Sequence, residues 1–217
     1  MSYIFNDLKT KLQTQIGDAS LSSSVAGDAL NHTQQSIFNT FDLTLNSAQS
    51  TNSVTAGTNT FASALPSDFQ RFINLRVTAP VGYEANLKSY FMTPDKFREA
   101  FPAAGVYAVG NLTYWTYWTG VEFANKADQT YTISFDYVKS VPLMSEISDV
   151  PTIPESFEEL LLLGAKIRIY EQKEDFDYAS QYANRYADLL EAFTTRYSTR
   201  QVDAQANVPG SRIRVWG

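Results

Sequence analysis

The chain has 217 residues, a formal net charge of -6 and no cysteine. The length allows one large domain or a domain with a helical annex. The acidic balance argues against a chain whose main task is to neutralise nucleic-acid phosphates. The missing thiols rule out disulfides, a thiolate nucleophile and cysteine metal cages. Hydrophobic residues at 44% against 18% charged place it among sequences that fold, and the 13 Tyr, 14 Phe and three Trp supply large buried area and rings suited to protein contacts.

The start, Met1-Ser2-Tyr3-Ile4-Phe5-Asn6-Asp7, has no basic stretch followed by an apolar run, so no signal peptide is expected. Ile4, Leu8, Leu12 and Ile16 recur every fourth residue and stop before Gly17, which predicts an amphipathic helix over 2–16. A second helix is expected over 25–41, with Leu30, Ile37, Phe38 and Phe41 on one face and Ser22, Ser23 and Ser24 available as caps. Residues 43–67 carry no charge and read as a connection or a loose edge hairpin.

Ile73, Leu75 and Val77 alternate with polar residues, the period of a half-buried strand closed by Pro80 and Gly82. Thr93-Pro94-Asp95 opens a short helix that Pro102 ends. Gly110-Asn111 is expected to turn a hairpin between strands at 106–109 and 112–118. After a polar turn over 125–129, Tyr131, Ile133, Phe135 and Tyr137 alternate with polar residues in the clearest strand pattern of the chain. These segments are expected to form an antiparallel meander.

Beyond Pro151 and Pro154 the period becomes helical. Phe157, Leu160, Leu161, Gly164, Ile167 and Tyr170 form one run, and Tyr178, Tyr182, Tyr186, Leu189, Leu190, Phe193 and Tyr197 the next. Asp175 and Asp177 stand between them as cap candidates, so the two helices form a hairpin. The fold class is therefore α+β: a central antiparallel β-sheet domain with N-terminal helices, a C-terminal helical hairpin and an extended C-terminal arm. The expected divisions are 1–42 for the N-terminal helices, 43–150 for the β-domain, 151–200 for the hairpin, packed with the N-terminal helices, and 201–217 for the arm. The longest apolar run, Leu160 to Ala165, is far short of the ~20 residues that span a bilayer.

Catalytic patterns are sparse. His32 is the single histidine, which excludes a multi-imidazole metal site within one chain, and its setting is that of an ordinary helical residue. No phosphate loop, dinucleotide fingerprint, calcium loop or nucleophile elbow occurs, and no cofactor is expected. Glu171, Glu174, Asp175 and Asp177 are read as capping and solvation between helices rather than as a cation site. Asp136 and Glu122 are the only candidates considered for a paired-carboxylate hydrolase, whose separation leaves no sequence signature. Tyr114-Trp115-Thr116-Tyr117-Trp118 admits two roles: Trp115, Tyr117 and Trp118 contact another subunit or a tail component, or they stack sugar rings as a carbohydrate-binding module.

The C-terminal stretch is basic on an acidic chain, with Arg196, Arg200, Arg212 and Arg214 against Asp203 alone. Arg212, Ile213, Arg214, Val215 and Trp216 alternate basic and apolar residues after Pro209-Gly210, as an extended arm that pairs with another protein's sheet edge does.

Two N-terminal helices, the motif Leu65-Pro66-Ser67-Asp68-Phe69, an aromatic β-domain, the strand Tyr131 to Tyr137 leading to Val141-Pro142-Leu143, and Pro151-Thr152-Ile153-Pro154-Glu155-Ser156-Phe157 opening a helical hairpin follow one another in this order. That order resembles the head-to-tail adaptor proteins of tailed bacteriophages, including the tail tubular protein A type. The resemblance spans about residues 1–197, and its weight lies in the order of short motifs. It implies a structural virion protein and not an enzyme: a ring, usually of twelve copies, docked under the portal protein, carrying the tail or nozzle protein and leaving a lumen for DNA. It further implies synthesis in the host cytoplasm, residence in the virion neck and no membrane contact. In such adaptors a C-terminal extension reaches into the portal, and residues 212–216 take that role here.

Overall fold

The structure is a computed structural model that describes residues 3–18, 20–103 and 109–198. In chain order, the elements are α1 (Phe5–Ile16), α2 (Ser23–Thr40), β1 (Ser47–Val54), β2 (Phe69–Ala79), β3 (Ala85–Asn86), α3 (Pro94–Ala100) and β4 (Val109–Gly110). They continue with β5 (Trp115–Tyr117), β6 (Val121–Phe123), β7 (Lys126–Ala127), β8 (Tyr131–Lys139), α4 (Glu158–Gln172) and α5 (Phe176–Tyr197). The fold class is α+β, as expected, with an antiparallel sheet and C-terminal helices. The chain divides into two compact units, a β unit over Asn46–Pro142 and a helical unit built from both flanks, Met1–Leu45 and Leu143–Gly217.

In the helical unit, α1 ends at Gly17, whose φ of 69° is the left-handed conformation that only glycine adopts without strain, and its N–H closes on Gln13 O. α2 begins where Ser22 Oγ accepts from the Val25 N–H. Leu8 and Leu12 of α1, Leu30 and Ile37 of α2, and Leu160, Leu161 and Ile169 of α4 are fully buried. α2 and α4 approach closely at Gly164, where a Cβ would fall 2.3 Å from Thr33 Cγ2 and 2.9 Å from Tyr186 Cε2 of α5. The α4–α5 hairpin turns within three residues, with Glu174 at positive φ and the Asp175 carboxylate accepting from Tyr178 N–H as the cap of α5. Asp18 pairs with Lys173, and that hydrogen bond, with those from Ser20, holds the Asp18 carboxyl well below the usual carboxylate range. The pair is solvent-exposed and screened, so it orients the ends of α1 and α4 more than it stabilises them.

In the β unit the main sheet has four strands in the order β1-β8-β2-β3. It is not a meander: β8, last in sequence, lies between β1 and β2 and is antiparallel to both. The reason is burial, since β8 buries Tyr131, Ile133, Phe135 and Tyr137, and a strand this apolar belongs at the centre of a sheet. β1 arises from the charge-free segment and is an eight-residue edge strand paired with β8 from Ser47↔Val138 to Val54↔Tyr131, rather than a loop. Residues 59–63 then fold back along it: Ala62 N–H donates to Ser53 O, and Asn52 Nδ2 donates to Ser63 O.

Gly110-Asn111 does not turn a hairpin. Val109 and Gly110 form β4, which runs parallel to β7 in the stretch expected to be a polar turn. Residues 106–108, the rest of the expected first strand, lie outside the described region. The second expected strand shrinks to β5, antiparallel to β6 with Trp115↔Phe123 and Tyr117↔Val121.

Candidate functional site

β5 carries the aromatic run, and its alternation separates the side chains. Trp115 is 3% exposed; its Nε1–H donates to Leu87 O at 2.8 Å, while its carbonyl accepts from Met92 N–H. Its ring meets Phe72 edge-on, with centroids 5.3 Å apart at 84°, and Phe91 at 4.9 Å and 61°. Phe72 also meets Tyr117 and Phe135, each at 5.4 Å, so the rings form a continuous T-shaped stack rather than a flat platform. Trp115 is therefore a core residue and not an exposed platform on which a sugar ring could stack. Trp118, just past the strand, is 64% exposed, with Arg98 of α3 held 5.7 Å from its ring centroid.

Between β2 and the segment 88–91 this stack leaves an open groove of about 360 Å³, lined by Phe72, Ile73, Phe91, Trp115 and Tyr117. Lys88 and Arg71 stand at its rim. The groove brings together Trp115 and Tyr117 of the three predicted contact aromatics and leaves Trp118 outside its lining. The signal missed in the sequence is Phe72 and Phe91, which join the stack from two other segments.

On the far side of β5, Thr116 is 4% exposed and its Oγ1 has no hydrogen-bond partner. A buried hydroxyl without a partner costs about 1–3 kcal/mol, so Thr116→Val, which keeps the shape, is expected to stabilise the protein by about 1 kcal/mol. Thermal unfolding checks this, with a rise of about 2–4 °C expected for a chain of this size.

The two carboxylates considered for hydrolysis lie on different sheets: Glu122 on β6 and Asp136 on β8. Asp136 is held by Gln49 Nε2 at 3.0 Å and faces Arg76 at 3.7 Å, which gives it a structural partnership across the sheet. The phenols of Tyr131 and Tyr137 are pushed up by burial, and each donates to a carboxylate, Asp128 at 2.6 Å and Asp68 at 3.0 Å. They stay protonated and act as donors that pin loops to β8. His32 is exposed on α2. Among the described residues no cluster of histidines and carboxylates is arranged to hold a metal, and no helix is long and apolar enough to cross a membrane.

A polar hollow of about 580 Å³ on the helical unit is lined by Lys11, Glu155, Glu158, Glu159 and Lys166. Two of its carboxylates are matched, with Lys11 Nζ 2.5 Å from Glu158 Oε1 and Arg185 on Glu159. That unit also exposes apolar side chains on the loop at 143–150. Asn31 clamps Met144 on both sides, donating to its carbonyl at 2.9 Å and accepting from its N–H at 2.8 Å. Asp149 Oδ2 accepts from the N–H groups of Ser145 and Glu146, and the free N–H groups of Phe5 and Asn6 at the start of α1 donate to Asp149 O and Ile147 O. The loop is thus fixed, yet Leu143, Ile147 and Val150 are 60%, 66% and 65% exposed. Their spacing in sequence resembles that of an ordinary core helix, which hides their exposure. The arm residues Arg212, Ile213, Arg214, Val215 and Trp216 lie outside the described residues.

No curated protein matches the chain. The family model described as "SU10 adaptor protein" matches residues 3–212, nearly its whole length, and the chain belongs to that family.

Proposed function

We propose that this protein is a structural component of a bacteriophage virion, a head-to-tail adaptor that assembles as a dodecameric ring below the portal protein and carries the tail or nozzle protein. The observation that carries this reading is the adaptor family match over residues 3–212, together with the same order of motifs along the chain. The role is one of contact, and catalysis has no part in it. Made in the host cytoplasm, the chain ends in the virion neck, where DNA passes through the ring without being read. A net charge of -6 suits that passage, because a surface that repels phosphate lets DNA slide. The basic arm at 212–216 reaches into the portal.

Native mass measured on this protein mixed with the portal protein tests the reading. The expected result is a complex with about as many copies of this chain as of the portal, lost when residues 203–217 are deleted while far-UV circular dichroism is unchanged. A correctly assembled portal ring that takes up none of the full-length chain would refute it.

A further inference from the structure

Two of the apolar surfaces open to solvent among the described residues carry opposite charge. One is the groove of the β unit, with Phe72, Phe91 and Trp115 inside and Lys88 and Arg71 at the rim. The other is the fixed loop of the helical unit, with Leu143, Ile147 and Val150 outward and the exposed Glu146 between them. Among the described residues neither Lys88 nor Glu146 has an ion-pair partner. Ordering a loop costs about 1–2 kcal/mol per residue. Here Asn31, Asp149 and the start of α1 meet that cost before any partner arrives, and what they hold in place is aliphatic side chains facing water. A loop so arranged is a preformed knob.

We propose that the 143–150 loop of one copy seats in the Phe72–Phe91–Trp115 groove of the next, with Ile147 inward and Glu146 against Lys88. The inference rests on the self-assembly reading above and names its contact. Charge selects this pairing. Loop on loop would set Glu146 against Glu146, and groove on groove would set Lys88 against Lys88, whereas loop on groove joins opposite charges over apolar surface. Because the two halves are unlike and every copy carries both, the contact is head-to-tail and repeats from copy to copy, as a ring requires.

The absence of cysteine makes the test direct. Full-length Ile147→Cys chains bearing a size tag are mixed with untagged Phe91→Cys chains, oxidised, and run on a non-reducing gel. Sedimentation of the unmodified protein, alone and with the portal ring, is measured alongside. The expected product is a mixed disulfide dimer at least tenfold more abundant than either like-with-like dimer. Adding Lys88→Glu to the Phe91→Cys chain is expected to reduce it severalfold, and Glu146→Lys on the other chain to restore it. Oligomers that sediment normally but give no mixed dimer overturn this contact and leave the self-assembly reading standing. A protein that never associates, alone or on the portal, overturns both. Both positions are exposed, and unchanged circular dichroism confirms that the variants fold.

Discussion

Trp115→Ala is expected to destabilise the protein by about 3–5 kcal/mol, the cost of emptying a fully packed aromatic site. The indole is wedged between Phe72 and Phe91, and its N–H donates to Leu87 O, so the change opens a cavity and removes one of the two donors to that carbonyl, which keeps the Tyr90 N–H. Loss of this size takes a large part of an ordinary domain's stability. The variant should lose near-ultraviolet aromatic circular dichroism and unfold at much lower denaturant. Trp118→Ala, three residues on, removes a ring that is mostly in water and is expected to change stability by less than about 0.5 kcal/mol. Equal effects of the two substitutions in urea titrations would contradict the burial described here. Any binding lost in Trp115→Ala must accordingly be read against its folded fraction.

Gly164→Ala has the second large effect. Alanine is favoured over glycine inside a helix by about 1 kcal/mol, so a gain would follow if space allowed. It does not: the new methyl would stand 2.3 Å from Thr33 Cγ2, a stiff branched side chain on α2 whose Oγ1 is tied to Ala29 O, with Tyr186 closing the other side. The net expectation is a loss of about 2 kcal/mol, within the range seen for overpacked cores. Thr33→Ala should relieve it, so that the double variant recovers at least half of the loss. A coupling energy of about 1–3 kcal/mol in the double-mutant cycle is the expected readout, and purely additive effects would show that the helices do not meet at this point.

What the sequence makes legible is local. Repeats of four residues mark α1 and α5, Gly17 and Ser22 mark a stop and a start, Asp175 caps α5, and the alternation of Tyr131 to Tyr137 marks β8. What it hides is pairing between distant segments. β1 is built from Ser, Thr, Asn and Gln with Val54 its one fully buried aliphatic, so its strand character comes from eight residue pairs with β8 rather than from its own composition. Gly110-Asn111 carries a hairpin signal, but Gly110 instead pairs in parallel with Ala127, a partner no local rule identifies. The contact aromatics show the same limit. Alternation puts Trp115 and Tyr117 on one face of β5, but only the arrival of Phe72 and Phe91 makes that face the inside. The 143–150 loop shows the converse, apolar in sequence and exposed in space, because Asn31 and Asp149 take its backbone away from the core.

The helical unit is assembled from the two ends of the described chain, and the β unit occupies the sequence between them. On the ribosome, α1 and α2 appear first and cannot cover Leu8, Leu12, Leu30 and Ile37 until α4 arrives more than a hundred residues later. At about 5–20 residues per second, that interval is on the order of ten seconds. The β unit, continuous in sequence, completes its own core during that wait. Nascent chains therefore pass through a stage with a finished sheet and two helices whose apolar faces await cover, the stage at which a chaperone has most to protect.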